Sequence, residues 1–470
     1  MSTRRSFLKW SGLAGITLAG SSMNTFAVTD AEDTRIIHKS GSSRFNMCNF
    51  SAPKIDNVGV GVIGIGNRGK GFVSRLGKID GVTIKGLSDI KPLRADEAKS
   101  KLDNKYHNPT LYTKNAEDWK KLCERNDIDV IYISTPWALH TPMALYAMEQ
   151  GKHVCVEVPA ATTIEEAWQL VETSERTKKH CMMLENCCYD FFELLTLNMA
   201  RQGFFGEIIH TEGAYIHDLF EGNFSRKKYD SNMWRLNENA SRNGNLYPTH
   251  GLGPVCQIMN INRGDQFDYM VSMSSNDFMM GDKAKELAVK DNFFAEFSNK
   301  SFRGNMNTST IRTKNGKTIM LQHDVTSPRP YSRIHLISGT KGVAQKYPLP
   351  GRIATSHKGW FTEEEMKAVE EKYTPNIVKR MGEIAKSVGG HGGMDFLMDW
   401  RTIDCLRNGL PLDQDVYDAA AWSCIMPLSA ESLNKRSGSV DIPDFTRGNW
   451  KTNKPVDILL EKGGNTKVRG

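Results

Sequence analysis

Short apolar runs alternate with longer amphipathic segments along the first part of the chain. Runs of this length indicate buried strands, and the segments between them have the length and the end signals of helices. A helix is predicted over 164–178, because Thr163 is a capping residue and Glu165 and Glu166 stand in the first turn. The strand candidates are 58–63, 82–87, 129–134, 153–157 and 181–186, and the other helix candidates are 70–76 and 142–150. This alternation predicts a doubly wound α/β domain.

From Gly206 onwards, strand-like segments dominate, and several of them alternate apolar and polar residues. Such alternation is typical of a sheet that has one buried face and one exposed face. The strand candidates are 207–215, 268–275, 292–299, 304–313, 318–324 and 333–338, and amphipathic helices are predicted over 396–407 and 416–434. The loop 390–395 either lines a ligand site or simply leads into the first of these helices. The pattern predicts a second α/β domain.

The first strand candidate runs directly into a G-x-G-x-x-G sequence, the fingerprint of a dinucleotide pyrophosphate site. Its first glycine allows the tight turn, the second lets the backbone approach the phosphates, and the third lets the next helix pack on the strand. The free N–H groups and the dipole of that helix favour an anion. We therefore predict that the cofactor contacts Gly64, Gly66, Asn67, Arg68 and Gly69. The alternative is an ordinary glycine-rich turn.

Asp89 ends the second strand candidate, twenty residues after Gly69. A carboxylate at this point accepts hydrogen bonds from the adenosine ribose and repels a 2′-phosphate, so NAD is favoured over NADP. Because ligands of such sheets bind beyond the carboxyl ends of the strands, residues after the later strands should also face the cofactor. These residues are Trp137, His140, Glu157, Val158 and Asn186, and the alternative is that they are loop residues with local hydrogen bonds.

The chain begins with Arg4-Arg5 followed by Phe7-Leu8-Lys9, the signature of twin-arginine export. The apolar run after it is too short and too rich in glycine and serine to span a membrane. We predict a signal peptide over 1–27, cleaved after Ala27, and an irregular linker over 28–53; a flexible basic terminus is the alternative. Proteins exported by this route cross the membrane folded, so a periplasmic enzyme that needs NAD must carry it out and hold it tightly.

Composition fits an ordinary soluble protein of two domains, with 470 residues, 39% hydrophobic and 24% charged. The net charge of +7 falls to about +4 without the three cations of the leader, which is too mild to indicate nucleic acid. The basic cluster 226–228 is predicted to be a solvated turn. The nine cysteines have no zinc-type spacing, and no disulfide framework or metal site is expected.

These motifs resemble the Gfo/Idh/MocA oxidoreductase family from Lys54 to about Trp450. The resemblance implies an N-terminal Rossmann domain and a C-terminal α/β domain with an open, mainly antiparallel sheet whose face carries the sugar site. The family hallmark is Glu-Lys-Pro after the fifth strand, where the lysine assists hydride transfer. This chain has Glu157-Val158-Pro159 instead. The ammonium group of the usual dehydrogenase is therefore missing.

The altered pattern resembles one branch of that family, the NAD-dependent α-N-acetylgalactosaminidases of glycoside hydrolase family 109. The matching stretches are 64–69, 137–140, 157–160, 185–186, 247–251 and 330–333. The resemblance implies hydrolysis of terminal α-linked N-acetylgalactosamine from glycans with retention at C1. NAD-dependent glycosidases are a recognised exception to two-carboxylate catalysis. In the implied cycle, C3 is oxidised, the C1 substituent is eliminated across C1–C2, water adds, and the hydride returns to C3.

Side-chain chemistry then suggests roles. The predicted catalytic residues are His250, which shuttles protons near neutral pH, and Tyr247 and Tyr331, one of which could relay the proton of the C3 hydroxyl. A tyrosine acting as base needs a lowered pKa. Tyr215 and Arg235 are predicted to bind substrate together with those three, and Glu157 and His140 to lie near the nicotinamide ribose. Alternatively, the Tyr247-Pro248 pair is a turn, Tyr215 packs in the sheet and Arg235 lies on the surface.

The predicted domains are 54–190 for NAD and 191–450 for substrate, followed by a tail over 451–470. The predicted partners are the glycan and the export machinery, with no nucleic acid and no membrane span; the exposed sheet face could form a homodimer. Two other functions stay open. One is a periplasmic NAD-dependent sugar oxidoreductase, which the missing lysine disfavours, and the other is an inactive binding module that keeps NAD, which Tyr247, His250 and Tyr331 disfavour.

Overall fold

The computed structural model describes residues 45–226 and 233–469. The predicted signal peptide, the linker residues 28–44 and residues 227–228 of the basic cluster lie outside the described residues. Within them, no helix is both long enough and apolar enough to cross a membrane. All nine cysteines are described and none forms a disulfide.

The strands and helices are numbered in chain order. The strands are β1 (Val58–Ile63), β2 (Val82–Ser88), β3 (Thr110–Tyr112), β4 (Val130–Ile133), β5 (His153–Val156), β6 (Cys181–Met183), β7 (Ile208–Ile216), β8 (Phe267–Ser274), β9 (Asn307–Thr313), β10 (Thr318–Asp324), β11 (Leu336–Gly339), β12 (Val343–Gln345), β13 (Arg352–Ala354) and β14 (Val440–Asp441). The helices are α1 (Asn67–Leu76), α2 (Pro92–Ser100), α3 (Trp119–Cys123), α4 (His140–Glu149), α5 (Ile164–Thr177), α6 (Phe191–Arg201), α7 (Phe220–Asn223), α8 (Trp234–Ser241), α9 (Thr249–Met259), α10 (Met280–Lys290), α11 (Ala295–Ser298), α12 (Glu363–Tyr373), α13 (Asn376–Val388), α14 (Met394–Asn408), α15 (Val416–Ser423) and α16 (Ile425–Asn434).

The first sheet is parallel throughout, in the order β3-β2-β1-β4-β5-β6. Every residue of β1, β4, β5 and β6 is buried, as expected for a sheet covered on both faces by helices. The strand order reverses direction between β1 and β4, which opens a crevice at the carboxyl ends of these two strands. The doubly wound Rossmann fold predicted from the sequence is therefore confirmed.

The second sheet has the order β13-β12-β11-β7-β10-β9-β8-β14 and is antiparallel except between β7 and β10. Helices α9 and α16 cover one face. The other face is open, and apolar side chains such as Ile209 and Met273 are 50% and 66% exposed on it. The prediction of an open, mainly antiparallel sheet is thus confirmed, whereas a homodimer on this face stays a prediction.

Helix α9 crosses β7 at two glycines. A Cβ at Gly251 would lie 2.3 Å from the Ala214 nitrogen, and one at Gly213 would lie 2.3 Å from the Gly251 oxygen. Side chains at these positions would therefore force the helix off the sheet. The contact places the N-terminal turn of α9 directly over the middle of the second sheet.

Two predicted elements differ from the structure in type or in continuity. The predicted strand 292–299 forms a 3-10 turn and α11, because Asp291 caps the turn at the Phe293 N–H and because Phe294 and Phe297, three positions apart, are both buried. The predicted helix 416–434 is divided into α15 and α16 around Cys424. Pro427 explains the break. In a continuous helix its ring would clash with the Ser423 carbonyl, and it has no N–H to donate to that carbonyl.

The strand predicted over 333–338 begins only at Leu336. Ile334 and His335 have φ of 58° and 49°, in the left-handed region that β-branched residues rarely adopt. This backbone turn directs the Arg333 guanidinium to the carboxylates of Asp190 and Glu193, at 2.6 Å each. The strand therefore starts three residues later than predicted, after the turn from which Arg333 makes its buried ion pairs.

The segments outside the two predicted domains are packed against them. Residues 45–53 are irregular, as predicted, but Met47 is only 3% exposed and its N–H donates to the Tyr417 hydroxyl. In the predicted tail, Val468 bridges Ile79, and the Arg469 guanidinium donates to the carbonyls of Gly77 and Val82. The tail therefore completes the surface of the first domain.

The crossing of α9 and β7 can be tested with Gly251→Ala. The added methyl group meets backbone rather than a flexible side chain, so we expect a loss of about 1–3 kcal/mol in the free energy of unfolding, measured by urea denaturation. The control is Gly382→Ala in α13, where the nearest atom is the Val378 Cγ1 at 3.3 Å. An unchanged midpoint for Gly251→Ala would contradict the packing described here.

Candidate functional site

The glycine loop after β1 has the geometry that a pyrophosphate needs. Gly64 has φ of 85°, and a Cβ at Gly69 would lie 1.9 Å from the Gly64 oxygen, so both positions require glycine. At Gly66, by contrast, the nearest atom to an added Cβ would be 3.9 Å away. The backbone is thus open to a ligand where Gly66 precedes α1, and the loop fits a dinucleotide.

Asp89 lies one residue after β2, beside this loop. Its carboxylate accepts hydrogen bonds from the N–H groups of Ile65 and Lys91, at 2.7 and 2.8 Å. These bonds orient the carboxylate at the edge of the crevice, where the ribose of a dinucleotide is bound in such folds. The preference for NAD over NADP stays a prediction.

A cleft of about 730 Å³ opens at this edge of the sheet. It holds most of the predicted cofactor residues and two of the predicted substrate residues, Arg235 and Tyr247. The predicted residues that line it are Gly64, Gly66, Asn67, Arg68, Asp89, Trp137, His140, Glu157, Val158, Arg235 and Tyr247. Gly69 and Asn186 lie behind its wall, and Tyr215, His250 and Tyr331 group deeper on the second sheet.

His140 borders the cleft, but both ring nitrogens face backbone. Nδ1 lies 2.8 Å from the Pro159 oxygen and Nε2 lies 2.7 Å from the Thr135 oxygen, and burial lowers the pKa of the ring. His140 therefore links the loop after β4, at Thr135, to the loop after β5, at Pro159. Its position near the nicotinamide ribose stays a prediction.

Asn186 also acts behind the cleft wall. It is 2% exposed, and its Nδ2 donates to the Asp395 Oδ1 at 2.5 Å. The other Asp395 oxygen accepts from the Arg68 Nη1 at 2.9 Å, and the Arg68 Nε donates to Glu157 at 2.7 Å. Asn186 therefore reaches Arg68 of the glycine loop through Asp395, which sequence reasoning named only as part of the loop 390–395. The loop 390–395 leads into α14, which is one of the two interpretations that the sequence left open for it.

Aromatic rings surround the Arg235 guanidinium at the mouth of the cleft. Its central carbon lies 4.8 Å from the Trp234 ring, 5.3 Å from that of Trp137 and 5.7 Å from that of Tyr247. Cation–π attraction of this kind helps to fix the guanidinium at the cleft. Arg235 therefore lies in the site and not on a remote surface.

The α9 crossing gathers three of the predicted residues into one cluster. The Tyr215 ring on β7 lies 4.7 Å from the Tyr247 ring and 5.3 Å from the His250 ring, and Tyr247 and His250 are 4.8 Å apart. The Tyr215 hydroxyl pairs with the His217 Nδ1 at 2.9 Å. The Tyr331 ring lies at the edge of this cluster, 6.3 Å from Tyr215, and is 36% exposed.

A buried carboxylate orients His250. The Nδ1 atom lies 2.8 and 2.9 Å from the two oxygens of Glu185, which is fully buried. Burial opposes ionisation of this carboxyl, but His250 and neighbouring hydrogen bonds outweigh it and lower the pKa of Glu185. A Cβ at Gly253 would lie 2.8 Å from the Glu185 Cγ, so that glycine leaves the space for the pair. The pair leaves the His250 Nε2 as the nitrogen for proton transfer.

Sequence reasoning missed Glu185 as a functional residue. The available signal was its position after β6, next to Asn186 in one of the stretches that carry the family resemblance. A carboxylate there is ambiguous without its partner, since His250 is 65 positions away in the chain. Only the packing of α9 against the 186–189 turn brings the two together.

Tyr247 and Tyr331 are proton donors at neutral pH. Burial raises the pKa of Tyr247 well above its ordinary value, and the dense surroundings of Tyr331 raise its pKa as well, although Arg333 opposes the rise. The Arg333 Nη1 donates to the Tyr331 hydroxyl at 3.2 Å. In the structure, neither tyrosine has the lowered pKa that a base requires, so His250 is the better placed base.

Glu185, Cys187 and His250 also bring possible metal ligands within 4.8 Å of one another. The Glu185 carboxylate, however, is already occupied by His250 and the Cys187 N–H, at 3.0 Å for the latter. Burial raises the pKa of the Cys187 thiol well above its ordinary value, whereas a metal binds the thiolate. This donor set fits a hydrogen-bonded pair better than an ion, and the expectation of no metal stays a prediction.

Comparison with known families agrees with this architecture. Residues 58–185 match the model described as oxidoreductase family, NAD-binding Rossmann fold. Residues 189–452, more than half of the chain, match the model described as glycosyl hydrolase 109, C-terminal domain. The chain belongs to glycosyl hydrolase family 109. It is therefore a glycoside hydrolase with an NAD-binding Rossmann domain.

Curated relatives cover nearly the whole chain. A family 109 protein of Shewanella pealeana is 47% identical over 468 residues, which span 97% of this chain and 99% of the relative. The α-N-acetylgalactosaminidase of Shewanella oneidensis is 46% identical over 467 residues, spanning 97% and 98%. A family 109 protein of Porphyromonas gingivalis is 48% identical over 425 residues, spanning 87% and 89%.

Solved structures share the fold at low identity. A levoglucosan dehydrogenase in complex with NADH and L-sorbose has a TM-score of 0.60 at 18% identity, covering 83% of this chain and all of the other. The myo-inositol dehydrogenase of Lactobacillus casei, in complex with NAD(H) and myo-inositol, has a TM-score of 0.56 at 19% identity, covering 83% and 99%. They confirm the Gfo/Idh/MocA architecture.

The Glu185–His250 pair can be tested with Glu185→Gln. The amide keeps the shape but removes the charge that orients the ring, so we expect kcat to fall about 100- to 10,000-fold and the pH profile of kcat/KM to change. The control is Glu286→Gln in α10, at the protein surface. A folded Glu185→Gln protein with wild-type kcat and pH profile would remove the pair from the mechanism.

Proposed function

We propose that this protein hydrolyses terminal α-linked N-acetylgalactosamine from glycans, with NAD as a tightly held cofactor that is regenerated in every turnover. The observation that carries the proposal is a glycine loop built for a dinucleotide in a cleft that Tyr247 also lines, with the Tyr247 ring packed against those of Tyr215 and His250. The name of the Shewanella oneidensis relative supports the substrate. When bound, NAD would accept and return a hydride at a sugar carbon.

The glycine loop and Asp89 are proposed to hold the pyrophosphate and ribose, and Arg68, Trp137, Glu157 and Val158 to border the nicotinamide end. Val158 is important here because it cannot exchange a proton. The lysine of the usual dehydrogenase could do so, but here the proton transfers must come from other groups. The valine thus favours hydrolysis over net oxidation of a free sugar.

Proton transfer is proposed to centre on His250. Its Nδ1 is held by Glu185, so Nε2 is the nitrogen that would take the proton from C2 of the sugar and return it later. Tyr247 and Tyr331, both protonated at neutral pH, would hydrogen-bond to sugar oxygens. One of them would relay the proton of the C3 hydroxyl to solvent when the hydride leaves C3, and would return a proton when the hydride comes back. Tyr215 would pack on the sugar ring, and the Arg235 guanidinium would bind its oxygens.

Export by the twin-arginine route is proposed from the sequence alone. Folded export would require NAD to be loaded in the cytoplasm and retained in the periplasm. A cycle that ends with the cofactor in its starting state suits such a location, because no second substrate is needed to reoxidise it.

One assay tests the proposed activity. Purified protein without added NAD is incubated with a chromogenic α-N-acetylgalactosaminide, and both aglycone release and absorbance at 340 nm are followed. We expect many turnovers of aglycone per protein with no net NADH, and little release from the matched α-galactoside. His250→Ala and Tyr331→Phe should lose at least tenfold in kcat.

A different result would assign the protein to another reaction class. Steady NADH formation from a free sugar, without aglycone release, would make it a sugar oxidoreductase. Wild-type rates in His250→Ala would remove that residue from the proposed role while leaving the activity itself intact.

A further inference from the structure

The loop before α14 is folded to deliver one carboxylate to the cofactor cleft. Gly389, Gly390, Gly392 and Gly393 all have positive φ, between 73° and 106°. A Cβ at Gly390 would lie 2.6 Å from the Asp395 Cβ. The sharp turn therefore lets the first turn of α14 approach the glycine loop of the Rossmann domain.

The Asp395 side chain is only 2% exposed, and both of its carboxylate oxygens accept hydrogen bonds. Oδ1 accepts from the Asn186 Nδ2 at 2.5 Å, and Oδ2 accepts from the Arg68 Nη1 and the His391 Nδ1 at 2.9 Å each. Burial opposes ionisation, but His391, Arg68 and Arg75 outweigh it and hold the pKa of Asp395 well below its usual range. The carboxylate is therefore ionised at neutral pH.

Arg68 is the residue that Asp395 holds at the cleft. It lies between Gly66 and Gly69, and two carboxylates fix its guanidinium: Glu157 from the first domain at Nε and Asp395 from the second at Nη1. A free arginine loses rotamer freedom when a ligand immobilises it, and this loss opposes binding. A guanidinium fixed in advance does not draw this cost from ligand binding.

Helix α14 has a second anchor beside this contact, and Arg75 of α1 takes part in both, since its Nη1 lies 3.5 Å from the Asp395 Oδ2. One turn after Asp395, the Asp399 Oδ2 accepts from the Arg75 Nε at 2.6 Å, and Asp399 is fully buried. Asp399 therefore attaches α14 to α1 without touching Arg68. Loss of the Asp395 charge alone should leave the two domains joined.

We propose that Asp395 is a positioning residue for cofactor retention, which fixes Arg68 and the glycine loop in the conformation that receives NAD and thereby slows its release. The inference rests on the proposed function for the identity of the cofactor. It assigns part of the cofactor affinity to the substrate domain, so the first domain does not hold NAD alone.

The test uses the full-length protein with Asp395→Asn. NAD per protomer is measured after desalting, and the dissociation rate is measured by displacement with excess unlabelled NAD. We expect dissociation at least about tenfold faster than in wild type, which corresponds to about 1.4 kcal/mol, while NAD-free protein unfolds at nearly the wild-type midpoint. The matched control is Asp399→Asn. It should lower the unfolding midpoint of the NAD-free protein and have a smaller effect than Asp395→Asn on the NAD dissociation rate.

A double-mutant cycle separates positioning from general stability. If Asp395 acts through Arg68, then Asp395→Asn adds little to the effect of Arg68→Ala on NAD dissociation. Additive effects, or an unchanged rate in Asp395→Asn, would overturn the inference. If wild-type protein binds no NAD, the proposed function fails first; if it binds NAD but Asp395→Asn behaves as wild type, only this inference fails.

Discussion

The close approach of α9 to β7 at Gly251 and Gly213 determines the centre of the molecule. It joins a helix to a sheet at backbone distance, so that Tyr215 of the strand, His250 of the helix and Tyr247 just before that helix share one small volume. The same helix carries Gly253, which leaves room for Glu185 from the first domain. A single steric condition, the absence of two side chains, thus places residues from 185, 215, 247 and 250 together.

Charge around the site follows a second rule: carboxylates from distant parts of the chain hold the cationic and basic side chains. Arg68 is held by Glu157 and Asp395, His250 by Glu185, and Arg333 by Asp190 and Glu193. Such buried pairs contribute little net stability, because desolvation offsets their attraction. Their benefit is preorganisation, since a charge fixed in advance does not need to be ordered when the ligand arrives.

Local sequence signals predicted much of this architecture. Apolar runs and the Thr163 cap fix strand and helix positions within a few residues, and the glycine fingerprint with Asp89 locates the cofactor loop, because each depends on neighbours close in the chain. Contacts such as Glu185 with His250 or Arg68 with Asp395 join residues 65 and 327 positions apart, and no local pattern encodes them. The error at 292–299 arose because an aromatic run fits a strand and a short helix equally well.

The C-terminal segment against Ile79 has a consequence for how the protein is assembled. The edge between α1 and β2 is completed by residues 467–469, which are almost 390 positions later in the chain. Contacts of such long range form slowly, because a large loop must close before they are gained. A nascent chain that has produced all six strands of the first sheet still lacks part of its surface and one of the two carboxylates that hold Arg68. The first domain is therefore continuous in topology, but its surface and the contacts of its cofactor loop are completed by residues from much later in the chain. Both reach their final form only when those residues have been made and packed.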